Sequence, residues 1–239
     1  TLIDLSRTPG AAAVTIERTA TGQVAHLGPM VTHAGVVSSP ALVDGALPLA
    51  QACLEVGSPQ LRNAATVVGN IVTASPANDT ISALLALGAS VTLTSSRGSR
   101  TLSIEDFITG FRTTQLAADE MITDLAVPLL GDRSRGIYVN LGNRSAQAIS
   151  VVHAAVVVHF AADGSTVESA RVALGSVAST VVLVAESADA LVGRQLDEST
   201  IAAAGARAAA AVTPISDVRA TAQYRGDTVE VVVGRALHS

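Results

Sequence analysis

Apolar positions along the chain change between a spacing of two and a spacing of three to four, which predicts strands in runs and helices in separate blocks. Within residues 1–34, Ala13-Val14-Thr15-Ile16-Glu17 and Val24-Ala25-His26-Leu27-Gly28 flank Thr21-Gly22 and read as a hairpin. From Pro40 onward, Leu42, Leu47, Leu49, Ala50 and Leu54 fall at helical spacing until Gly57-Ser58-Pro59, so a helix ending near Val56 is expected. A short apolar helix over residues 80–87 follows, with Asn78 or Asp79 as its cap and Gly88 as its stop. Residues 90–95 and 100–104 alternate about Ser96-Arg97-Gly98 as a second hairpin, and residues 122–128 form another strand.

Near residues 129–134 the composition shifts from apolar to charged and small, which places a domain boundary there and divides the chain into 1–132 and 133–239. The second domain opens with strand-like residues 136–140 and the long apolar run 149–160. A turn at Ala162-Asp163-Gly164 then leads into a strand over 168–175. Helices are expected over 185–191 and 199–212, the second alanine-rich and capped by Asp197 or Ser199. The stretch Thr228-Val229-Glu230-Val231-Val232-Val233 is ambiguous. Its branched residues favour a strand by propensity, while Val229, Val232, Val233 and Ala236 also form a helical stripe. The pattern as a whole predicts an α+β protein.

Composition removes several chemistries. The chain has 239 residues, 49% of them hydrophobic, a formal charge of -5 and no apolar run near the roughly 18 residues that span a bilayer. That excludes a basic field for nucleic acid and predicts a protein without a membrane span. All 15 basic residues are arginine, so lysine-dependent phosphate loops and Schiff bases are ruled out. Cys53 is the only cysteine, which leaves no internal disulfide, cysteine-built zinc site or iron–sulfur cluster on this chain and favours a cytoplasmic setting. It reads as a small buried residue rather than a reactive one. Thr1-Leu2-Ile3-Asp4-Leu5 has neither an initiator methionine nor a signal-peptide pattern, and the chain is expected to begin inside a longer protein.

The most informative stretch is residues 60–80, which carries two charges and is crowded with small, hydrogen-bonding side chains suited to a backbone close to a ligand. Taken alone it reads equally well as a tight turn before a capped helix, because one glycine-bearing segment is a weak motif. His33 and His153 have no second ligand at metal spacing and read as structural. The adjacent Asp119 and Glu120 read as solvated. No nucleophile elbow or Gly-x-Gly-x-x-Gly is present, which disfavours hydrolase and Rossmann readings.

Thr66-Val67-Val68-Gly69-Asn70, running into Ala74-Ser75-Pro76-Ala77-Asn78-Asp79, resembles the second FAD signature of the flavin-binding medium subunits of molybdopterin dehydrogenases, the xanthine and carbon monoxide dehydrogenase type. Five further blocks in the same order are similar to that family. They are Val31-Thr32-His33-Ala34, Gly57 through Asn63, Asp119-Glu120-Met121-Ile122, Arg144 through Ser150, and Pro214 through Arg219 with Tyr224-Arg225. The resemblance implies an α+β FAD-binding domain of the PCMH type, its first lobe absent, followed by a smaller α+β domain of the carbon monoxide dehydrogenase flavoprotein type. It further implies assembly with a [2Fe–2S] small subunit and a molybdenum-cofactor large subunit, FAD as cofactor, and transfer of electrons to NAD⁺ or a quinone.

By the same resemblance the flavin contacts fall to Thr66, Val68, Gly69, Asn70, Val72, Thr73, Ser75, Asp79, Met121 and Ile122, with no catalytic residue and no metal ligand. The loop's amides are expected to face a diphosphate, Asp79 to accept from ribityl or ribose hydroxyls, and Met121 and Ile122 to cover the ring in a chain with 2% aromatic residues. Three departures stand out. Val68 replaces a usual small residue, Asn140 stands where many relatives carry lysine, and the first flavin signature would lie upstream of Ile3-Asp4-Leu5-Ser6. The missing first signature and Val68 motivate an alternative in which the chain is a flavin-free scaffold that binds the other subunits.

Overall fold

The computed structural model describes residues 3–239. Strands β1 (Val14–Thr19) and β2 (Gly22–Leu27) form the first hairpin, with Val14 opposite Leu27. Helices α1 (His33–Val37), α2 (Pro40–Gly45) and α3 (Leu47–Glu55) follow. The single helix expected over this region is broken at Ala46 (φ -138°, ψ 45°), because Pro48 in the first turn of α3 has no N–H to continue the ladder. Next come α4 (Pro59–Ala64), α5 (Val67–Thr73) and α6 (Asp79–Leu87), which Gly88 ends in the left-handed conformation at φ 71°. Then follow β3 (Ser90–Ser95), β4 (Gly98–Ser103), α7 (Ile104–Phe107), β5 (Ile108–Gly110), β6 (Thr113–Thr114) and β7 (Met121–Pro128).

The second half contains β8 (Ser134–Gly142), β9 (Ser150–Phe160), β10 (Val167–Gly175) and β11 (Val182–Leu183), then α8 (Ala185–Asp189), α9 (Glu198–Ala210) and α10 (Ala222–His238). Two larger antiparallel sheets result, ordered β1-β2-β7-β3-β4 and β11-β10-β9-β8. The fold is α+β, with antiparallel sheets and helices grouped on their faces.

Strand β9 explains how the halves meet. Nine of its eleven residues are buried, so both faces of its sheet are covered. Ala155 and Val157 belong to the core that includes Leu49 of α3 and Leu84 of α6, while Val156 and Val158 belong to the core of α9 and α10. Alternation along the strand assigns one face to each layer. Every residue of α6 is buried, which suits a helix hydrophobic all round and held between sheets.

The strand favoured by propensity at residues 228–233 is instead the middle of α10. The face of β8 and β9 opposite α3 and α6 needs a cover, and Val229, Val232, Val233 and Ala236 supply one at helical spacing. Thr221 starts the helix by accepting from the Tyr224 amide at 3.1 Å. Tertiary packing has overridden the β-branched preference.

Candidate functional site

Residues 66–79 fold differently from the open loop expected of them. Thr66 caps α5, its Oγ1 accepting from the Gly69 amide at 3.0 Å, and the Asn70 amide donates to Thr66 O at 3.1 Å. The Val67 amide is bound to Val31 O at 3.1 Å. The amides expected to face a diphosphate at Val67, Gly69 and Asn70 are therefore committed to the protein itself. The physical reason is that Thr66 is a good N-cap and the residues after it, including the branched Val67, Val68 and Ile71, make a short helix whose apolar side joins the core.

A cleft of about 560 Å³ lies beside the far end of this helix, between the two halves of the chain. Asn70, Thr73, Ser75 and Asp79 line it together, while Thr66, the cap of α5, and Val68, Gly69 and Val72 on that helix lie outside its lining. The free hydrogen-bonding capacity of the lining can be counted. Asn70 Oδ1 accepts from Thr80 at 2.6 Å and its carbonyl from Asn78 at 2.8 Å, which leaves the Nδ2 donor. Ser75 Oγ accepts from the Ala77 amide at 3.3 Å and keeps its proton, whereas the Thr73 hydroxyl donates to Gly69 O at 2.9 Å and can only accept.

Asp79 opens α6, buried, and Tyr138 of β8 donates its hydroxyl to Oδ1 at 2.5 Å. Burial raises its pKa to about 6, the Tyr138 hydrogen bond opposes that, and Glu55 adds to it. His153 of β9 stands 3.8 Å away, held by Ser150 at 3.0 Å, and burial lowers its pKa to about 3, so it is neutral. Its Nε2 has no partner and rests on Gly175, where a Cβ would come within 1.8 Å of the ring. Asn140, opposite His153 in the sheet, also buries an unpartnered Oδ1.

Met121 and Ile122 are neighbours on β7 and so point to opposite faces: Met121 is exposed, and Ile122 lies in the core. Their side chains cannot cover one ring together, as sequence reasoning expected, and neither lines the cleft. Asp119 and Glu120 bind Arg97 and Arg100 and fasten the β3–β4 hairpin to the segment before β7. Cys53 is buried 3.4 Å from His33 Nδ1, and burial pushes its thiol well above the usual range. Arg112 and Arg225 line the cleft and Tyr138 stands behind it, bonded to Asp79, without having been singled out from the residues themselves. The available signal was Tyr138 as one of two tyrosines in a chain poor in aromatics, two residues from Asn140 on one strand face.

Residues 1–130 match the family of FAD binding domains in molybdopterin dehydrogenase, and residues 138–239 match the carbon monoxide dehydrogenase flavoprotein C-terminal domain. The nicotine 6-hydroxylase medium subunit of Paenarthrobacter nicotinovorans is 33% identical over 99% of this chain and 80% of its own length. The carbon monoxide dehydrogenase medium chain of Hydrogenophaga pseudoflava is 29% identical over 100% of this chain and 80% of its own. The solved carbon monoxide dehydrogenase of that organism superposes with a TM-score of 0.90 at 28% identity, over 98% of this chain and 79% of the matched one.

Proposed function

Because the chain belongs to the family of FAD-binding medium subunits of molybdopterin dehydrogenases, we propose that it takes electrons from the [2Fe–2S] clusters of a small subunit, which receive them from a molybdenum-cofactor large subunit, and passes them to NAD⁺ or a quinone. It is thus an oxidoreductase subunit, as its relatives are. The observation that carries the reading is the convergence of Asn70, Thr73, Ser75 and Asp79 on one cleft. These residues fit a flavin dinucleotide: Asn70 Nδ2 and the Ser75 hydroxyl are free donors, and Asp79, with a pKa of about 6, is mostly ionised at neutral pH and can accept from sugar-alcohol hydroxyls.

In this arrangement Thr66, Val68, Gly69 and Val72 build and cap the helix that aims Asn70 and Thr73, while Met121 and Ile122, on β7 outside the cleft, would need a part of the flavin that extends beyond it. Bound FAD would supply chemistry that takes electrons singly and gives them up singly or in pairs. The chain's own groups bind, orient and set the local charge, with no acid–base residue required. The single buried cysteine supports a cytoplasmic location.

A visible spectrum of the purified chain with added FAD, after removal of excess, tests the reading. It should give flavin bands close to one per chain, and Asp79→Ala should weaken FAD binding about tenfold or more, the usual cost of losing a charge-assisted hydrogen bond. The second reading, a flavin-free scaffold for the other subunits, is favoured by the internally bonded amides of Gly69 and Asn70. Absence of flavin bands at saturating FAD would establish it in place of the first.

A further inference from the structure

The cleft has a second wall, formed by arginines, whose chemistry the flavin contacts above leave unused. Arg112 lies in the turn between β5 and β6, exposed, with its guanidinium 5.7 Å over the Phe111 ring and no carboxylate partner among the described residues. Arg219 and Arg225 come from the segment before α10 and its first turn. Both bind Asp217, at 2.6 and 2.7 Å. Arg225 is 3% exposed and donates to Ser176 O at 2.6 Å, yet its Nε has no partner. Leaving a charged donor buried and unpartnered is costly, and native structures keep few such groups without a reason.

Charge and backbone agree with a ligand here. Three guanidiniums line the cleft with two carboxylates, and one of these, Asp217, is already shared by two of the guanidiniums. Four non-glycine residues among those described have left-handed backbone: Ala74, Arg112, Gln147 and Ser176. Three of them line this cleft, and the fourth, Ala74, accepts the Arg112 amide at 3.1 Å. Left-handed backbone strains a residue with a side chain, and such strain collects where a ligand needs fixed geometry.

We propose that this wall is an anion subsite for a phosphate-bearing nucleotide, received by Arg112 and Arg219 with Arg225 behind them. The phosphate belongs either to the flavin dinucleotide itself or to a pyridine-nucleotide acceptor docked against the flavin. The proposal rests on the flavoprotein reading, and where the phosphate is the acceptor's it selects NAD⁺ over a quinone, because an uncharged quinone has no group for three arginines.

Equilibrium titrations of the purified chain with FAD, riboflavin, NADH and ADP, for the wild type, Arg112→Glu and Arg219→Gln, decide the matter. Arg112→Glu alters an exposed side chain and leaves the Asp217 cluster intact, so it decides alone if Arg219→Gln folds poorly. The expected result is at least a tenfold loss of affinity for FAD or for NADH in Arg112→Glu, with riboflavin, which has no phosphate, unaffected. Loss for FAD alone assigns the wall to the flavin's diphosphate, and loss for NADH alone assigns it to the acceptor. An equal loss for riboflavin, or unchanged binding of FAD and NADH, overturns the proposal. If the wild type binds no flavin at all, the flavoprotein reading fails by itself, and the NADH and ADP titrations still judge the arginine wall.

Discussion

Asp79 is a carboxyl group that folding makes harder to ionise. Its pKa rises from 3.8 to about 6, so its favourable contribution to stability is fully present below pH 3.8 and is lost as the pH climbs through 6. Holding it ionised at pH 7 costs roughly 3 kcal/mol by the usual conversion. Asp79→Asn keeps a polar partner for Tyr138 and removes that cost. Urea midpoints of variant and wild type should therefore lie close together below pH 4 and diverge between pH 4 and 6, with the variant the more stable by about 1–3 kcal/mol at pH 7. Parallel pH curves would count against the buried carboxylate. A ligand that hydrogen-bonds to the ionised form offsets the same cost, so FAD should protect the wild type more at pH 7 than at pH 5. Gly175 is a second sensitive point, because a methyl group there would collide with the His153 ring. Gly175→Ala should lower stability by about 1–3 kcal/mol, the range for overpacking a closed core, and a melting temperature equal to wild type would show that His153 can move aside.

At the level of elements, the hairpins β1–β2 and β3–β4 were legible because their alternation and their turns are local in sequence. Helix α6 was legible for the same reason, its apolar run ending on Gly88. What could not be read were outcomes that depend on a distant partner. Helix α10 takes its conformation from the sheet face it covers, and α5 from the core beneath Val67 and Ile71. Of residues 66–79, the cleft gathers Asn70, Thr73, Ser75 and Asp79, while the amides of Val67, Gly69 and Asn70 are bonded within the protein. Thr66 illustrates the difference, since its hydroxyl serves the helix. Thr66→Ala should cost about 1 kcal/mol of stability by loss of the cap, measured as a shift in denaturant midpoint. No shift would mean that α5 is held by packing alone.

On the scale of the molecule, the two halves share structure rather than merely touching. Tyr138, Ala155, Val157 and Ala173 of the second sheet sit in the same core as α3 and α6. The Tyr138 amide donates to Gln51 Oε1 at 2.9 Å, and Arg171 Nε donates to Leu85 O at 3.0 Å. Thermal unfolding followed by circular dichroism and by tyrosine fluorescence should accordingly give one coincident transition, whereas two resolved transitions would mean that the halves are independently stable. Helix α10 has an implication of another kind. Thr228 through Val233 hold one charge, Glu230, among strand-prone valines, and packing against the sheet and α9 keeps them helical. A chain caught before that surface is complete presents a segment ready to zip against copies of itself. Recovery from denaturant is then a race between burial and aggregation, won by dilution.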